Sequence, residues 1–329
     1  CTLCEHSIVM NKKKGSENMD KKELQNPALY TNRELSWLLF NKRVLSEARD
    51  KQLLLFERLK FLSITASNLD EFFMVRIGSL VDMIHAEYTK KDIAGMSAKE
   101  QLDALMEETH KFAALQYSTY NRMLLPQLRA NGLNFVEHHE QLTERQAQYV
   151  DEYFEENVYP VLTPMAVDSS RPFPLIRNKT LNIGALVAKK GEKDTEIEFA
   201  TVQVPSVLPR VVRIPAAKEG DTEVAVLLLE EIIERNISKL FLNYNVLCAH
   251  PFRITRNADL AIDEDEAEDL LLEIEKQIKK RTWGQAIRLE IEAAADRRLL
   301  KILCRELSVR KEDVFEIDGP LDLTFLMKV

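Results

Sequence analysis

Apolar residues recur at helical spacing through the first half of this chain and in shorter, proline-broken runs through the second. Thr31-x-x-Glu34 has the form of a capping box, in which the hydroxyl and the carboxylate satisfy free backbone donors at a helix start. Trp37, Phe40, Val44 and Ala48 follow at spacings of 3, 4 and 4, which predicts one buried helix face. A second stripe consists of Leu55, Leu59, Leu62 and Ala66, and a third of Phe73, Ile77, Leu80 and Ile84, with a helix junction expected at Ser67-Asn68-Leu69-Asp70-Glu71 between them. Ser97-x-x-Glu100 opens a fourth helix, whose Leu102, Met106, Thr109, Ala113, Tyr117, Tyr120 and Leu124 keep the helical period until Pro126.

Past Gly132 the pattern changes. Thr143-x-x-Gln146 starts another helix, and Pro160, Pro164, Pro172 and Pro174 mark 158–175 as an extended connector rather than a core strand. Strands are expected over 181–189, 197–205, 252–255, 286–292 and 314–317, and helices over 223–242, 263–281 and 296–307. The fold class is therefore α+β: an N-terminal all-α helical bundle followed by a mixed α/β head domain. The expected division is a disordered leader over 1–30, the bundle over 31–135 and the head over 136–329.

Length and composition agree with this division and exclude several functions. A chain of 329 residues suits about two domains. Only 9 glycines argue for long helices, and no G-x-G-x-x-G or G-x-x-x-x-G-K phosphate loop occurs. The net charge of -8 weighs against nucleic-acid binding over the whole surface. The longest apolar run, 224–229, falls far short of a membrane span, so a soluble cytoplasmic chain is expected, with any membrane association as part of a complex. Cys1-x-x-Cys4 with His6 resembles half of a zinc site, but Cys248 and Cys304 lie far apart and supply no second half. The acid-rich stretch 259–275 reads as a solvated helix start complementing the basic end at Lys276, Lys279, Lys280 and Arg281.

Reaction chemistry does not emerge from spacing. There is no G-x-S-x-G and no H-E-x-x-H, and His138, His139 and His250 read as structural or surface residues. Longer motifs carry further. Residues 32–45 (Asn-Arg-Glu-Leu-Ser-Trp-Leu-Leu-Phe-Asn-Lys-Arg-Val-Leu), Glu57-Arg58-Leu59-Lys60-Phe61-Leu62 and the run from Ser67 through Asn68-Leu69-Asp70-Glu71-Phe72 to Arg76 resemble the amino-terminal domain of type-1 polyphosphate kinases. Pro160-Val161-Leu162-Thr163-Pro164, Arg171-Pro172-Phe173-Pro174, the run from Phe252 to Leu260 and Asp318-Gly319-Pro320-Leu321-Asp322-Leu323-Thr324 resemble that family's middle, or head, domain.

The resemblance implies an enzyme that moves the terminal phosphoryl group of ATP, reversibly and with Mg²⁺, to polyphosphate through a phosphohistidine. It also implies that this histidine and the metal ligands lie in later domains, so that residues 1–329 supply no catalytic side chain and no metal ligand, and that the fragment alone is inactive. A homodimer or higher homo-oligomer through the head is implied as well. Asn68 is the residue that the resemblance places against the adenine of ATP, where a carboxamide matches the N6 amine and N7. The alternative for Asn68 is a helix N-cap. Asp70, Glu71 and Arg76 are expected at a helix start and on the surface. Arg171, Arg177, Lys179, Arg253 and Arg256 stay open between a polyanion lining and ordinary surface charge. The competing function is a stand-alone nucleotide-binding or dimerisation module without catalytic activity.

Overall fold

The computed structural model describes residues 23–167, 173–191, 197–218, 220–258 and 284–329. Cys1, Cys4, His6, Arg171 and the helix expected over 263–281 lie outside the described residues.

Helix α1 (Arg33–Arg49) is capped by Asn32, whose side chain accepts hydrogen bonds from the backbone of Glu34 and Leu35. The expected cap, Thr31, stands one residue too early, and Glu34 pairs with Arg33 and Arg76 instead of closing a capping box. The buried stripe also differs from the expected one. It runs Leu38, Asn41, Leu45, Ala48, while Phe40 is 54% exposed. Trp37 still packs on the core, and its ring stacks on Phe72 at 4.4 Å.

Helix α2 (Leu55–Phe72) has no junction after Ser67. It passes through a π turn (Phe73–Ile77) directly into α3 (Gly78–His85). Helix α4 (Ala98–Thr119) opens on the Ser97/Glu100 capping box, as its sequence predicts. Pro126 does not end it: a π turn (Tyr120–Leu124) precedes the proline, which sits in the first turn of α5 (Leu125–Ala130), where its missing N–H costs little. These helices bury Leu45, Leu59, Leu62, Phe73, Leu105 and Leu124 almost completely.

The second half holds two sheets. Strands β1 (Leu133–Val136), β5 (Val211–Ile214) and β6 (Val224–Leu228) form one in the order β1-β6-β5, with β1 parallel to β6. The other has the order β2-β4-β3-β7-β8-β9, built from β2 (Met165–Val167), β3 (Leu181–Lys189), β4 (Glu198–Gln203), β7 (Tyr244–Arg256), β8 (Ala286–Glu292) and β9 (Val314–Ile317). Only β8 and β9 run parallel in it. Pro251 is tolerated inside β7 because β8 pairs only from Phe252 onward.

Helix α6 (Glu144–Tyr153) starts on the expected Thr143/Gln146 box. The helix expected over 223–242 is a correction. Its first part is strand β6, followed by α7 (Leu229–Arg235) and α8 (Ile237–Leu240). Val-Ala-Val-Leu-Leu is a short apolar run flanked on both sides by partner strands, the setting in which β-branched residues favour a strand. Helix α9 (Arg297–Glu306) covers the larger sheet with Leu299 and Leu303.

The two halves share a core. Val226, Ile287, Phe315 and Leu326 of the second half pack in one cluster with the bundle helices. The closing segment reinforces the contact: Ser63 Oγ donates to Thr324 O (3.0 Å), Tyr117 OH to Pro320 O (3.0 Å) and Asn121 Nδ2 to Asp318 O (2.7 Å). Gly319 makes this approach possible. Its φ of +137° suits glycine, and a Cβ there would meet the Tyr117 ring at 3.3 Å.

Candidate nucleotide-base site

The seam between α1 and α2 is antiparallel and layered. Asn41 meets Asn68, Trp37 stacks on Phe72, and Glu34 faces Arg76 at 3.8 Å, so a step of about one turn toward the start of α1 matches a step of one turn along α2 and into the π turn that follows it. Asn68 is half-buried in this seam. Its Nδ2 donates to Asn41 Oδ1 at 3.0 Å, and Asn41, fully buried, donates its own Nδ2 to Thr65 O at 3.2 Å. Gln116 Nε2 in turn donates to Thr65 Oγ1 at 2.9 Å.

Asn68 therefore caps no helix. It lies in the interior of α2, four residues before the helix end, and the N-cap alternative is overturned. One amide hydrogen of Asn68 is held by Asn41. The other hydrogen and Oδ1 make no hydrogen bond among the described residues, which leaves one donor and one acceptor side by side on a fixed carboxamide. Asn41 was not singled out from the sequence. The signal was there, since an amide occupies a position within the Leu38, Leu45, Ala48 stripe.

Asp70, two residues along, behaves differently from its sequence expectation. It is buried at the contact between the halves, where both Arg253 and Arg288 donate to its carboxylate. Arg253 Nη1 also donates to Glu290 at 2.7 Å, Arg288 Nε to Thr255 Oγ1 at 3.1 Å, and the Arg288 guanidinium lies 4.5 Å from the centre of the Phe73 ring. Burial pushes the Asp70 pKa up, but the two guanidiniums outweigh it and hold the carboxyl down at about 2. Asp70 is thus neither a helix-start nor a surface residue. Glu71 and Arg76 are exposed as expected, with Glu71 3.5 Å from Lys179.

Of the basic residues left open, Arg253 is consumed by the charge cluster, and Arg256 donates to Ile176 O and Gly284 O. Arg177 and Lys179 stay exposed. A groove of about 340 Å³ lies at the Glu34/Arg76 end of the seam, lined by Arg33, Tyr88, Lys90 and Lys91 among others; Asn68 does not line it. Three carboxylates along the seam are tied to cations: Glu34 to Arg33, Asp70 to Arg253 and Arg288, and Glu71 to Lys179. The seam therefore does not offer the cluster of free oxygens that Mg²⁺ prefers.

Both halves match known families. The family model for the polyphosphate kinase N-terminal domain covers residues 30–136, and that for the polyphosphate kinase middle domain covers 145–329. The chain belongs to the polyphosphate kinase family. A polyphosphate kinase of Halalkalibacterium halodurans is 48% identical over 309 residues, covering 93% of this chain and 43% of that protein. One of Bacillus anthracis is 46% identical over 310 residues, 93% of this chain and 44% of its own length. The crystal structure of the polyphosphate kinase from Porphyromonas gingivalis superposes with a TM-score of 0.73 at 26% identity, over 91% of this chain and 41% of that one. The chain thus spans less than half the length of these polyphosphate kinase relatives. Among the described residues, no helix is long and apolar enough to cross a membrane.

Proposed function

We infer that this chain provides the nucleotide-base-binding and assembly part of a polyphosphate kinase that transfers the terminal phosphoryl group of ATP, reversibly and with Mg²⁺, to polyphosphate through a phosphohistidine. The observation that carries this reading is the presence of both family regions, in order, across one chain. The bundle, 31–135, is assigned the adenine, and the head, 136–329, the homo-oligomer contact.

Asn68 binds the base through Oδ1, accepting from the N6 amine, and through its second Nδ2 hydrogen, donating to a ring nitrogen. Asn41 fixes the amide plane before ATP arrives, so little ordering entropy is lost on binding. Phosphoryl transfer itself is assigned to residues outside 1–329. Three histidines support this by being occupied structurally: His110 stacks on Phe315 and bonds Glu312 O, while His139 and His250 each pair with a glutamate.

The experiment compares residues 1–329 alone with the same chain continued by the remaining length of a relative, each given Mg²⁺ and ATP. Polymer is expected only from the continued chain, because base binding without a nucleophile and charge-stabilising groups does not lower the barrier to transfer. Robust synthesis by residues 1–329 alone would overturn the assignment. Light scattering of the fragment is expected to show an assembly larger than its 38.0 kDa monomer; a monomer at high micromolar concentration would remove the head's assembly role.

A further inference from the structure

Away from the α1/α2 seam, five metal-ligating side chains meet where α7 packs against the middle of β7, near the end of β8. Ligand atoms of His139, Glu231 and Glu234 lie within 4.8 Å of one another, and so do those of Glu234, His250 and Glu292. Glu234 is common to both groups. We propose that this cluster is a binding site for a divalent first-row transition metal of the zinc class, with Glu234 as the central ligand between the pairs His139/Glu231 and His250/Glu292.

The donor set selects the metal class. Two imidazoles with three carboxylates suit Zn²⁺, Mn²⁺ or Fe²⁺, whereas Mg²⁺ and Ca²⁺ favour all-oxygen shells. The scaffold is rigid: Glu231 and Glu234 stand three residues apart on α7, and His250 and Glu292 come from neighbouring strands. Supporting contacts already orient the ligands. The His139 backbone N–H donates to Glu231 Oε2 at 2.9 Å, and His250 Nδ1 lies 2.8 Å from Glu292 Oε2. Glu234 makes no hydrogen bond or ion pair of its own among the described residues, although it is the shared member of both groups.

A cavity of about 50 Å³ adjoins the cluster and is lined by Glu231 and Glu292, one ligand from each pair, which is room for an ion's remaining water. No motif spacing revealed this site, because its residues are drawn from a turn, a helix and two strands spread over 139–292.

The test uses residues 1–329 carrying Cys1→Ser and Cys4→Ser, which removes the thiolates of the N-terminal Cys-x-x-Cys segment as a competing zinc site. After chelator treatment, Zn²⁺ is titrated calorimetrically and Co²⁺ by its visible absorption. Micromolar or tighter binding is expected, at one ion or at two bridged by Glu234, unaffected by millimolar Mg²⁺. Glu234→Gln should weaken it at least about tenfold. That variant keeps the side-chain shape, so its fold is expected to persist and is checked by circular dichroism. His250→Gln provides a second, independent ligand loss with the same expected result. Binding of Zn²⁺ no tighter than in both variants, or equal displacement by Mg²⁺, would overturn the proposal.

Discussion

Asn68 and Asp70 sit two residues apart on α2 and face opposite fates. Asp70 turns toward the head, where two guanidiniums, shared with Glu290, satisfy it so fully that nothing remains for a ligand. Asn68 turns along the α1/α2 seam, half-buried, with one hydrogen fixed by Asn41 and its other donor and its acceptor unspent. The contrast separates a residue that holds the molecule together from one held ready for something else. Buried charge clusters tolerate no missing member, whereas a pre-oriented amide with spare capacity is the economy expected of a recognition residue.

The largest effect should come from breaking the charge cluster. Asp70→Ala leaves Arg253 and Arg288 short of a counter-charge in the interior, a loss of about 3–5 kcal/mol. Thermal or urea unfolding is expected to show that loss, while ATP-over-GTP preference in the continued enzyme stays as in the parent. A stable Asp70→Ala protein with altered base preference would reverse the roles assigned to the two residues.

The same cluster makes a prediction for acid. The Asp70 carboxyl drops from an ordinary 3.8 to about 2 on folding. A depressed folded value means that its contribution is complete above about pH 4 and fades as pH falls toward 2. That shift corresponds to about 2–3 kcal/mol. Urea midpoints of the parent and Asp70→Asn should therefore converge as pH is lowered from 5 to 2. A gap that stays constant over that range would show that ionisation of Asp70 is not what stabilises the contact.

Much of the fold was legible because its signals were local. Strands β3, β8 and β9 have the bounds their apolar runs predict, and the Ser97 and Thr143 boxes start the helices they should. Strand β6 was missed because five apolar residues before a helical stretch carry no period of their own, and only pairing with β1 and β5 decides them. In α1, Trp37 and Phe40 suggested one face, but contact with α2 selected the face with Asn41. The role of Asp70 was invisible for a different reason: its partners are 183 and 218 residues away. The proposed base site was legible only as the identity of Asn68 through family resemblance; its anchoring by Asn41 needed the packed helices.

Replacing Asn68 tests the other side of the contrast. In the continued enzyme, Asn68→Ala should remove a bidentate contact worth about 1–3 kcal/mol. That weakens ATP binding by roughly 5- to 150-fold. Because the base is remote from the reacting phosphorus, the change should fall on KM rather than kcat, with ATP-over-GTP preference reduced alongside it. Stability should move little, since Asn68 caps no helix. An unchanged preference for ATP would remove Asn68 from the base site.

The smallest and most discriminating effect concerns Asn41, which never touches the base in this scheme. Asn41→Ala frees Thr65 O from one buried hydrogen bond and releases the Asn68 amide, costing about 1–2 kcal/mol of stability. Its effect on KM should be several-fold and smaller than that of Asn68→Ala, because the amide remains but must be ordered on binding. The double variant decides the mechanism. If Asn41 acts on ATP only by orienting Asn68, its substitution should add nothing to KM once Asn68 is alanine, while its stability cost persists in both backgrounds. Additive effects on KM would mean that Asn41 reaches the nucleotide independently and that the pre-oriented pair is the wrong description of the seam.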